Sequence, residues 1–107
     1  MDFPFEEEKI DQYNFIRTFP ADVDEMDLIW HADKENRIIT VIKGSGWKFQ
    51  FDEELPFEMI DGIEISILKG DLHRVIKGEG PLKIIVHKNA NICSRGALLK
   101  VYKDTLR

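Results

Sequence analysis

Four side chains of types that bind metals or anions lie in two short stretches of the chain. His31, Asp33 and Arg37 follow one another at close spacing, and His73 ends a second stretch that begins at Gly62. Imidazole nitrogens and carboxylate oxygens ligate divalent metals, whereas a guanidinium donates hydrogen bonds to anions and has no lone pair for a metal. The two stretches therefore offer metal-type ligands and one anion-binding group, provided that the fold brings them together.

The residues around these side chains have the pattern of short β-strands. Residues 37–42 are rich in β-branched side chains, residues 47–52 alternate aromatic with polar, and residues 63–67 alternate isoleucine with polar. Turn residues separate the runs about every 8 to 12 residues, at 44–46, 54–56, 69–71 and 78–81. That spacing predicts an all-β domain of the sandwich or barrel type.

Side chains two apart in a strand share one face of the sheet, which predicts an inner face for this region. The turn Gly44-Ser45-Gly46 predicts a hairpin, because glycine readily adopts the positive φ values of such turns. The register that collects apolar residues on one face puts Ile39 opposite Phe51. It also puts Val41 opposite Phe49. One end of the same face is expected to hold the polar side chains His31, Asp33 and Arg37.

The other face of residues 37–42 carries Ile38 and Ile42 beside Thr40. Leaving these isoleucines in water forgoes about 1.5–3 kcal/mol for each side chain. Either the N-terminal segment or a second subunit would cover them, and a homodimer is the arrangement that we favour.

The two ends of the chain have weaker patterns. Residues 10–19 fit a helix or a strand about equally, and Pro20 ends the element because the residue before a proline avoids the helical region. Glu6-Glu7-Glu8 is expected to be a solvated tail, and residues 21–27 an acidic loop. Residues 97–102 are expected to form a last strand, with a short helix as the alternative.

Length and composition favour a single domain that spans residues 1–107. The apolar fraction is 43%, and 20 acidic against 15 basic residues give a net charge of −5. No cluster of Lys or Arg supplies the phosphate neutralisation that drives nucleic-acid binding, so nucleic acid is not an expected partner. No apolar run approaches the ~20 residues of a membrane-spanning helix, so no membrane is expected. One cysteine, Cys93, and an acidic N-terminus without a secretory pattern predict a cytoplasmic protein.

The first stretch, at about residues 30–44, resembles the first signature motif of the cupins. That motif has a His-x-His pair, a glutamate shortly after it and a closing glycine. His31 and Gly44 match this pattern at the family's spacing. Asp33 stands in place of the second histidine, and Arg37 stands in place of the glutamate.

The second stretch, at about residues 62–77, resembles the second cupin motif. Its two glycines and its histidine match here, the last of them at His73. Leu68 replaces the proline of that motif, and Lys77 replaces its asparagine.

This resemblance implies a cupin-like double-stranded β-helix, or jelly-roll barrel, here with a short N-terminal extension. Many cupins are dimers, and the family includes oxygenases, isomerases, decarboxylases and non-enzymatic binding domains, so the fold leaves open whether this chain is an enzyme. In cupins the two motifs converge in one pocket, which here would contain His31, Asp33, Arg37 and His73.

Cupin metal sites usually have three histidines and one glutamate, so the resemblance implies a reduced ligand set here, namely His31, Asp33 and His73. Two imidazoles and one carboxylate suit Fe(II) and also Mn, Ni or Zn. Arg37 opposes a metal, because its fixed charge repels a dication unless a carboxylate neutralises it. The alternative is a metal-free, non-catalytic binding or regulatory module in which Asp33 and Arg37 form a structural ion pair.

Arg37 is the candidate group for a small anionic ligand, because its planar donors bind carboxylate or phosphate in pairs. Trp47 and Phe49 are candidate aromatic contacts for that ligand, with the alternative that both belong to the core. No residue is assigned a catalytic role. Glu35 and Tyr102 are candidates for proton transfer, each with a surface or core position as the simpler interpretation. A metal-bound form would be an oxygenase or an isomerase.

Overall fold

The computed structural model describes residues 3–99, and these residues have the predicted all-β fold. They form nine strands and one short 3-10 helix, with no α-helix in this range. In chain order the elements are β1 Glu6–Lys9, β2 Asn14–Phe19, the 3-10 helix Glu25–Asp27, β3 Arg37–Lys43, β4 Lys48–Phe51, β5 Phe57–Glu58, β6 Ile63–Ile67, β7 His73–Ile76, β8 Leu82–Lys88 and β9 Gly96–Leu99.

The strands build two antiparallel sheets. The larger sheet has the order β1-β2-β8-β3-β6-β9, and the smaller sheet has the order β5-β4-β7. From β3 onward the chain passes repeatedly from one sheet to the other, since β4 and β7 belong to the smaller sheet while β6 and β8 belong to the larger one. This topology confirms the predicted jelly roll.

The core lies between the two sheets and follows the predicted alternation. On β6, the three isoleucines are buried, whereas Glu64 and Ser66 point to the other face. The same alternation buries every second residue of β8. The core cluster collects the buried side chains Phe19, Val23, Ile39, Val41, Trp47, Phe49, Phe51, Met59, Ile63, Ile65, Ile67, Leu82, Ile84 and Val86.

The predicted hairpin between residues 37–42 and 47–52 is wrong. β3 pairs with β6 and β8, whereas β4 pairs with β5 and β7. The tight turn itself is present, closed by a hydrogen bond from the Trp47 N–H to the Gly44 carbonyl (2.9 Å). Beyond it, the Met59 N–H donates to the Trp47 carbonyl (2.8 Å), so the chain leaves the turn towards the smaller sheet and not back along β3.

The side chains predicted to face inward are buried, although the two strands that carry them do not pair with each other. Ile39 and Val41 are buried on β3, and Phe49 and Phe51 are buried on β4. All four belong to one core cluster, which they enter from opposite sheets. Alternation decides which face a side chain takes, but it does not decide which strand lies beside it.

The N-terminal extension is a hairpin that widens the larger sheet. Residues 6–8, expected to be a solvated tail, belong to β1, which pairs with β2, and β2 in turn pairs with β8. Residues 10–19, which fitted helix or strand equally, therefore contain a strand. At the other end, β9 confirms the predicted last strand as far as Leu99. Tyr102 lies outside the described residues.

The outer face of the larger sheet carries the isoleucines that the alternation left outside the core. Ile38 and Ile85 are half-buried, and Ile42 is 39% exposed. The N-terminal hairpin extends this sheet edge to edge and therefore does not lie over Ile38 and Ile42. The homodimer expected to cover this face stays a prediction. Among residues 3–99, no helix is long and apolar enough to cross a membrane.

Gly44 gives a direct test of the turn between the sheets. A Cβ at this position would overlap the Met59 carbonyl oxygen, which is backbone and cannot move cheaply. We expect Gly44→Ala to lower the free energy of unfolding by at least about 3 kcal/mol through overpacking, measured by urea denaturation.

Gly62→Ala is the matched control for that change. Gly62 has φ +90°, but a Cβ there would meet only an ordinary contact at 3.9 Å. Its cost should be about 1–2 kcal/mol, the strain of a left-handed residue. Equal losses in the two variants would mean that the Met59 contact does not constrain the turn.

Candidate metal centre

A short bridge between His31 and His73 joins the two sequence stretches. The His31 N–H donates to the His73 carbonyl and the His73 N–H donates to the His31 carbonyl, each at 2.9 Å. The paired backbones bring the imidazole rings to a centroid distance of 4.3 Å. The predicted convergence of the two stretches therefore depends on a pair of backbone hydrogen bonds, and not on the side chains themselves.

The loop that carries Asp33 is tied to the turn before β7. The Gly70 N–H donates to the Asp33 carbonyl (3.0 Å), and the Lys69 N–H donates to the Asn36 side-chain oxygen (2.9 Å). The Ala90 N–H donates to the Asn36 carbonyl (3.0 Å) and fixes the other side of the same loop. Asp33 is thus held by backbone contacts beside the two histidines.

Each histidine uses its Nδ1 on a backbone carbonyl. The Nδ1 of His31 lies 3.1 Å from the Ile29 oxygen, and the Nδ1 of His73 lies 2.7 Å from the Asp71 oxygen. A carbonyl can only accept, so each Nδ1 carries a proton, and in the neutral ring each Nε2 is left with a lone pair. Metal-bound histidines typically have this arrangement, in which an outer hydrogen bond fixes the ring and its tautomer.

The two Nε2 atoms face the carboxylate of Asp33. The Nε2 of His73 is 3.4 Å from Oδ2 of Asp33, and the Nε2 of His31 is 3.9 Å from Oδ1. Oδ2 is buried and has no hydrogen-bond partner. One ligand atom from each of the three residues lies within 4.8 Å of the others. A divalent cation fits this arrangement, because it would satisfy an orphaned oxygen and two lone pairs together.

Arg37 is engaged by two carboxylates. Its Nη1 is 3.2 Å from Oδ1 of Asp33, while its Nε and Nη2 donate to Oε1 of Glu35 at 3.1 and 2.9 Å. The ion pair between Asp33 and Arg37 that was the alternative to a metal site is therefore present. It occupies only Oδ1 of Asp33 and leaves Oδ2 towards His73.

Glu35 is the residue of this site whose role the sequence interpretation missed. It was considered for proton transfer, whereas it holds the guanidinium of Arg37. Glu35 and Arg37 are opposite charges only two residues apart, and the bend at residues 34–35 leaves them close enough to pair, so their spacing contained the signal.

The side chains of Trp47 and Phe49 belong to the core cluster and do not line the site. Both side chains are fully buried at 0% exposure, so neither is accessible to a ligand in this conformation. Trp47 donates its indole N–H to the Gly80 carbonyl (2.7 Å). Phe49 stacks on the imidazole of His73, with ring centroids 5.5 Å apart and planes 16° from parallel. Phe49 therefore gives His73 a rigid apolar floor, whereas Trp47 packs against Phe19 in the core.

Burial disfavours the charged form of His73. The imidazole loses its hydration, and this burial lowers the pKa of His73 below the ordinary value of 6.5. The hydrogen bond to the Asp71 carbonyl opposes the change, the charge of His31 adds to it, and the Asp33 carboxylate again opposes it. The neutral form that results is the one that can ligate a metal.

The third histidine, His87, and the cysteine are not among the candidate ligands of this cluster. Nδ1 of His87 contacts the side-chain oxygen of Asn14 (2.8 Å), so this histidine is a strand residue away from the site. Cys93 is exposed, and the neighbouring Arg95 is paired with Glu54 (2.6 Å).

Similar proteins are found among solved structures and not by comparison of sequences. No protein-family model and no curated protein matches the chain. A cupin domain from Bordetella pertussis aligns over 84% of this chain and 99% of its own length, with 13% identity and a TM-score of 0.56. A cupin-2 domain protein from Shewanella frigidimarina aligns over 80% and 79%, with 14% identity and a TM-score of 0.53. This chain has the cupin fold.

One further similar structure is that of a protein with a stated activity. The DMSP lyase DddQ from Ruegeria pomeroyi aligns over 80% of this chain, with 13% identity and a TM-score of 0.57. This chain spans only 41% of the length of that enzyme. Likeness at these identities shows the fold alone, so the activity of this cupin-fold chain has to be argued from its own side chains.

The buried imidazole predicts how the stability of the metal-free protein depends on pH. The unfolded chain takes up the His73 proton at about pH 6.5, whereas the folded protein takes it up only at lower pH. The stabilisation from the neutral ring is therefore complete above 6.5 and is lost as the pH falls towards the lowered value.

We expect the thermal midpoint of chelator-treated protein to fall between about pH 7.5 and pH 5.5, and His73→Asn to flatten that slope. Differential scanning calorimetry across this interval measures both. A slope that the substitution leaves unchanged would assign the pH dependence to other groups.

Proposed function

We propose that this cupin-fold chain binds a divalent metal through His31, Asp33 and His73 and presents it to a small anionic ligand. One observation carries the proposal: two imidazole lone pairs and a buried carboxylate oxygen without a hydrogen-bond partner converge at one point. Three acceptors that face one another repel unless a cation lies among them.

A proton is the competing cation, and two features make it the weaker candidate. His73 is a buried residue, and burial penalises the imidazolium more than the neutral ring. One proton could also satisfy only one imidazole–carboxylate pair, because Oδ2 lies nearer to His73 and Oδ1 nearer to His31. A metal would satisfy all three ligand groups.

The bound metal would supply Lewis acidity or, if it is iron, an oxygen-activating centre. Fe, Mn, Ni and Zn all accept two imidazoles and one carboxylate. The protein would leave one side of the metal accessible to solvent and would close the other side. The His31 side chain is 48% exposed, whereas Asp33 and His73 are nearly buried, so a ligand would approach past His31.

The metal-free binding module is a second candidate, and the contact between Arg37 and Asp33 favours it. A buried guanidinium–carboxylate pair is costly to break because each partner would leave the other charge uncompensated. In that case Asp33 serves the ion pair, and the anionic ligand would bind to Arg37 and the histidines. The two candidates predict different metal contents.

The metal content of untagged protein, purified without chelator, is the first test. We expect near-stoichiometric Fe, Mn, Ni or Zn by mass spectrometry, and loss of the metal by a factor of at least about ten in His73→Ala, which removes a ligand nitrogen.

His87→Ala is the matched control for this test, since it removes the third histidine of the chain, which lies away from the cluster. This variant should retain its metal. Wild-type protein that stays empty after Fe(II), Mn(II), Ni(II) and Zn(II) are added back would reject the metal proposal and leave the binding module.

The anionic ligand gives a separate test of the two candidates. The hydrogen-bond donors of Arg37 are directed to carboxylates of the protein, so an anion would bind chiefly through the metal. We expect inorganic phosphate and succinate to raise the thermal midpoint of metal-loaded protein and to leave that of chelator-treated protein unchanged. Stabilisation of the metal-free protein that disappears in Arg37→Met would instead support the binding module.

A further inference from the structure

The guanidinium of Arg37 lies between two carboxylates of different function. It contacts Asp33, a candidate ligand, through Nη1 and contacts Glu35 through Nε and Nη2. Its side chain is only 14% exposed, so water screens these charges weakly. The strength of one contact therefore depends on the other.

The two carboxylate oxygens of Asp33 face different groups, because Arg37 contacts only one of them. Oδ1 faces the guanidinium at 3.2 Å, and Oδ2 faces His73 at 3.4 Å without a hydrogen bond. A carboxylate in this arrangement offers one oxygen to a metal and keeps the other for the arginine. The guanidinium also lowers the electron density that the carboxylate can donate, and it places a positive charge near the dication.

Glu35 opposes the effect of Arg37 on the affinity of the site for a metal. Its Oε1 accepts two hydrogen bonds from the guanidinium and supplies a full negative charge to it. The pair Glu35–Arg37 is thus close to neutral, which weakens both the repulsion of a metal and the hold on Asp33. Without that charge, the arginine would engage Asp33 more strongly.

We propose that Glu35 and Arg37 together set the metal affinity of the centre, Arg37 by confining Asp33 to a single ligand oxygen and Glu35 by restraining Arg37. This inference rests on the proposed function and deepens it. Both are positioning residues: neither is a ligand, and their substitutions act with opposite sign. A purely structural pair would instead give the same sign for both, since either substitution would loosen the same ion pair.

The test measures the affinity of purified, chelator-treated protein for Zn(II) and Co(II) by competition with a chromophoric chelator. Arg37→Met removes the charge at similar length and should bind either metal about tenfold more tightly. Glu35→Gln keeps an oxygen for the guanidinium but loses the charge, and it should bind about tenfold more weakly. Thermal unfolding of the metal-free variants shows whether each is folded.

The double variant Glu35→Gln/Arg37→Met separates action through the arginine from a direct effect of Glu35. If Glu35 acts through Arg37, most of its tenfold effect should vanish when the arginine is absent. Glu7→Gln is the matched control, because Glu7 pairs with Arg17 at 2.6 Å on the N-terminal hairpin and its loss removes one carboxylate elsewhere. It should leave the affinity unchanged.

The outcomes distinguish this inference from the proposed function. Wild-type protein that binds metal while both single variants bind more weakly, or bind equally well, would overturn the inference and leave the metal site in place. Protein that binds no metal in any of these forms would overturn both. Metal binding by Arg37→Met alone would support the role of Arg37 in this inference and would reject the proposed function, metal binding by the wild type.

Discussion

The pair of backbone hydrogen bonds between His31 and His73 is the constraint on which the site depends. The two residues are far apart in the sequence, and the bridge aligns their main chains so that the imidazoles meet. Each ring is then fixed from behind by a carbonyl two residues upstream, Ile29 for one and Asp71 for the other. Geometry set by the backbone is difficult to lose by a single substitution, which suits a site that has to be pre-organised.

The polar groups of the site are connected through one carboxylate. Asp33 faces both imidazoles and the guanidinium of Arg37, but the Nε2 lone pairs are acceptors like the carboxylate oxygens, so of the three only Arg37 donates to Asp33. Oδ2 remains without a hydrogen bond in a nearly closed position, and a buried unsatisfied oxygen costs about 1–3 kcal/mol. The fold tolerates this cost because the bridge and the stacked Phe49 hold His73 in place. Such a local departure from hydrogen-bond satisfaction is typical of binding sites.

The sequence pattern predicted which side chains of each strand point into the core, but it did not predict which strands pair with one another. Alternation along residues 37–42 and 47–52 identified Ile39, Val41 and Phe49 as inward-facing, and all three are in the core. The hairpin inferred from the glycine turn was wrong, because that turn is equally compatible with a crossing between sheets. The residues of the site were identified from the motifs. The role of Glu35 depends on a contact that neither motif contains, and the buried state of Trp47 depends on long-range packing.

The arginine is where this chain departs most from the motif it resembles, and its chemistry decides what the departure means. A fixed charge inside a site for a dication looks incompatible with metal binding when the sequence is considered alone. In the folded chain the guanidinium contacts two carboxylates, so the local charge of Asp33, Glu35 and Arg37 together is negative. With both imidazoles neutral, a site of one net negative charge would attract a cation less strongly than a site without the arginine. In the proposed metal site the arginine would therefore take the place of one ligand of the motif and weaken metal binding, while the lone pairs of His31, Asp33 and His73 would remain.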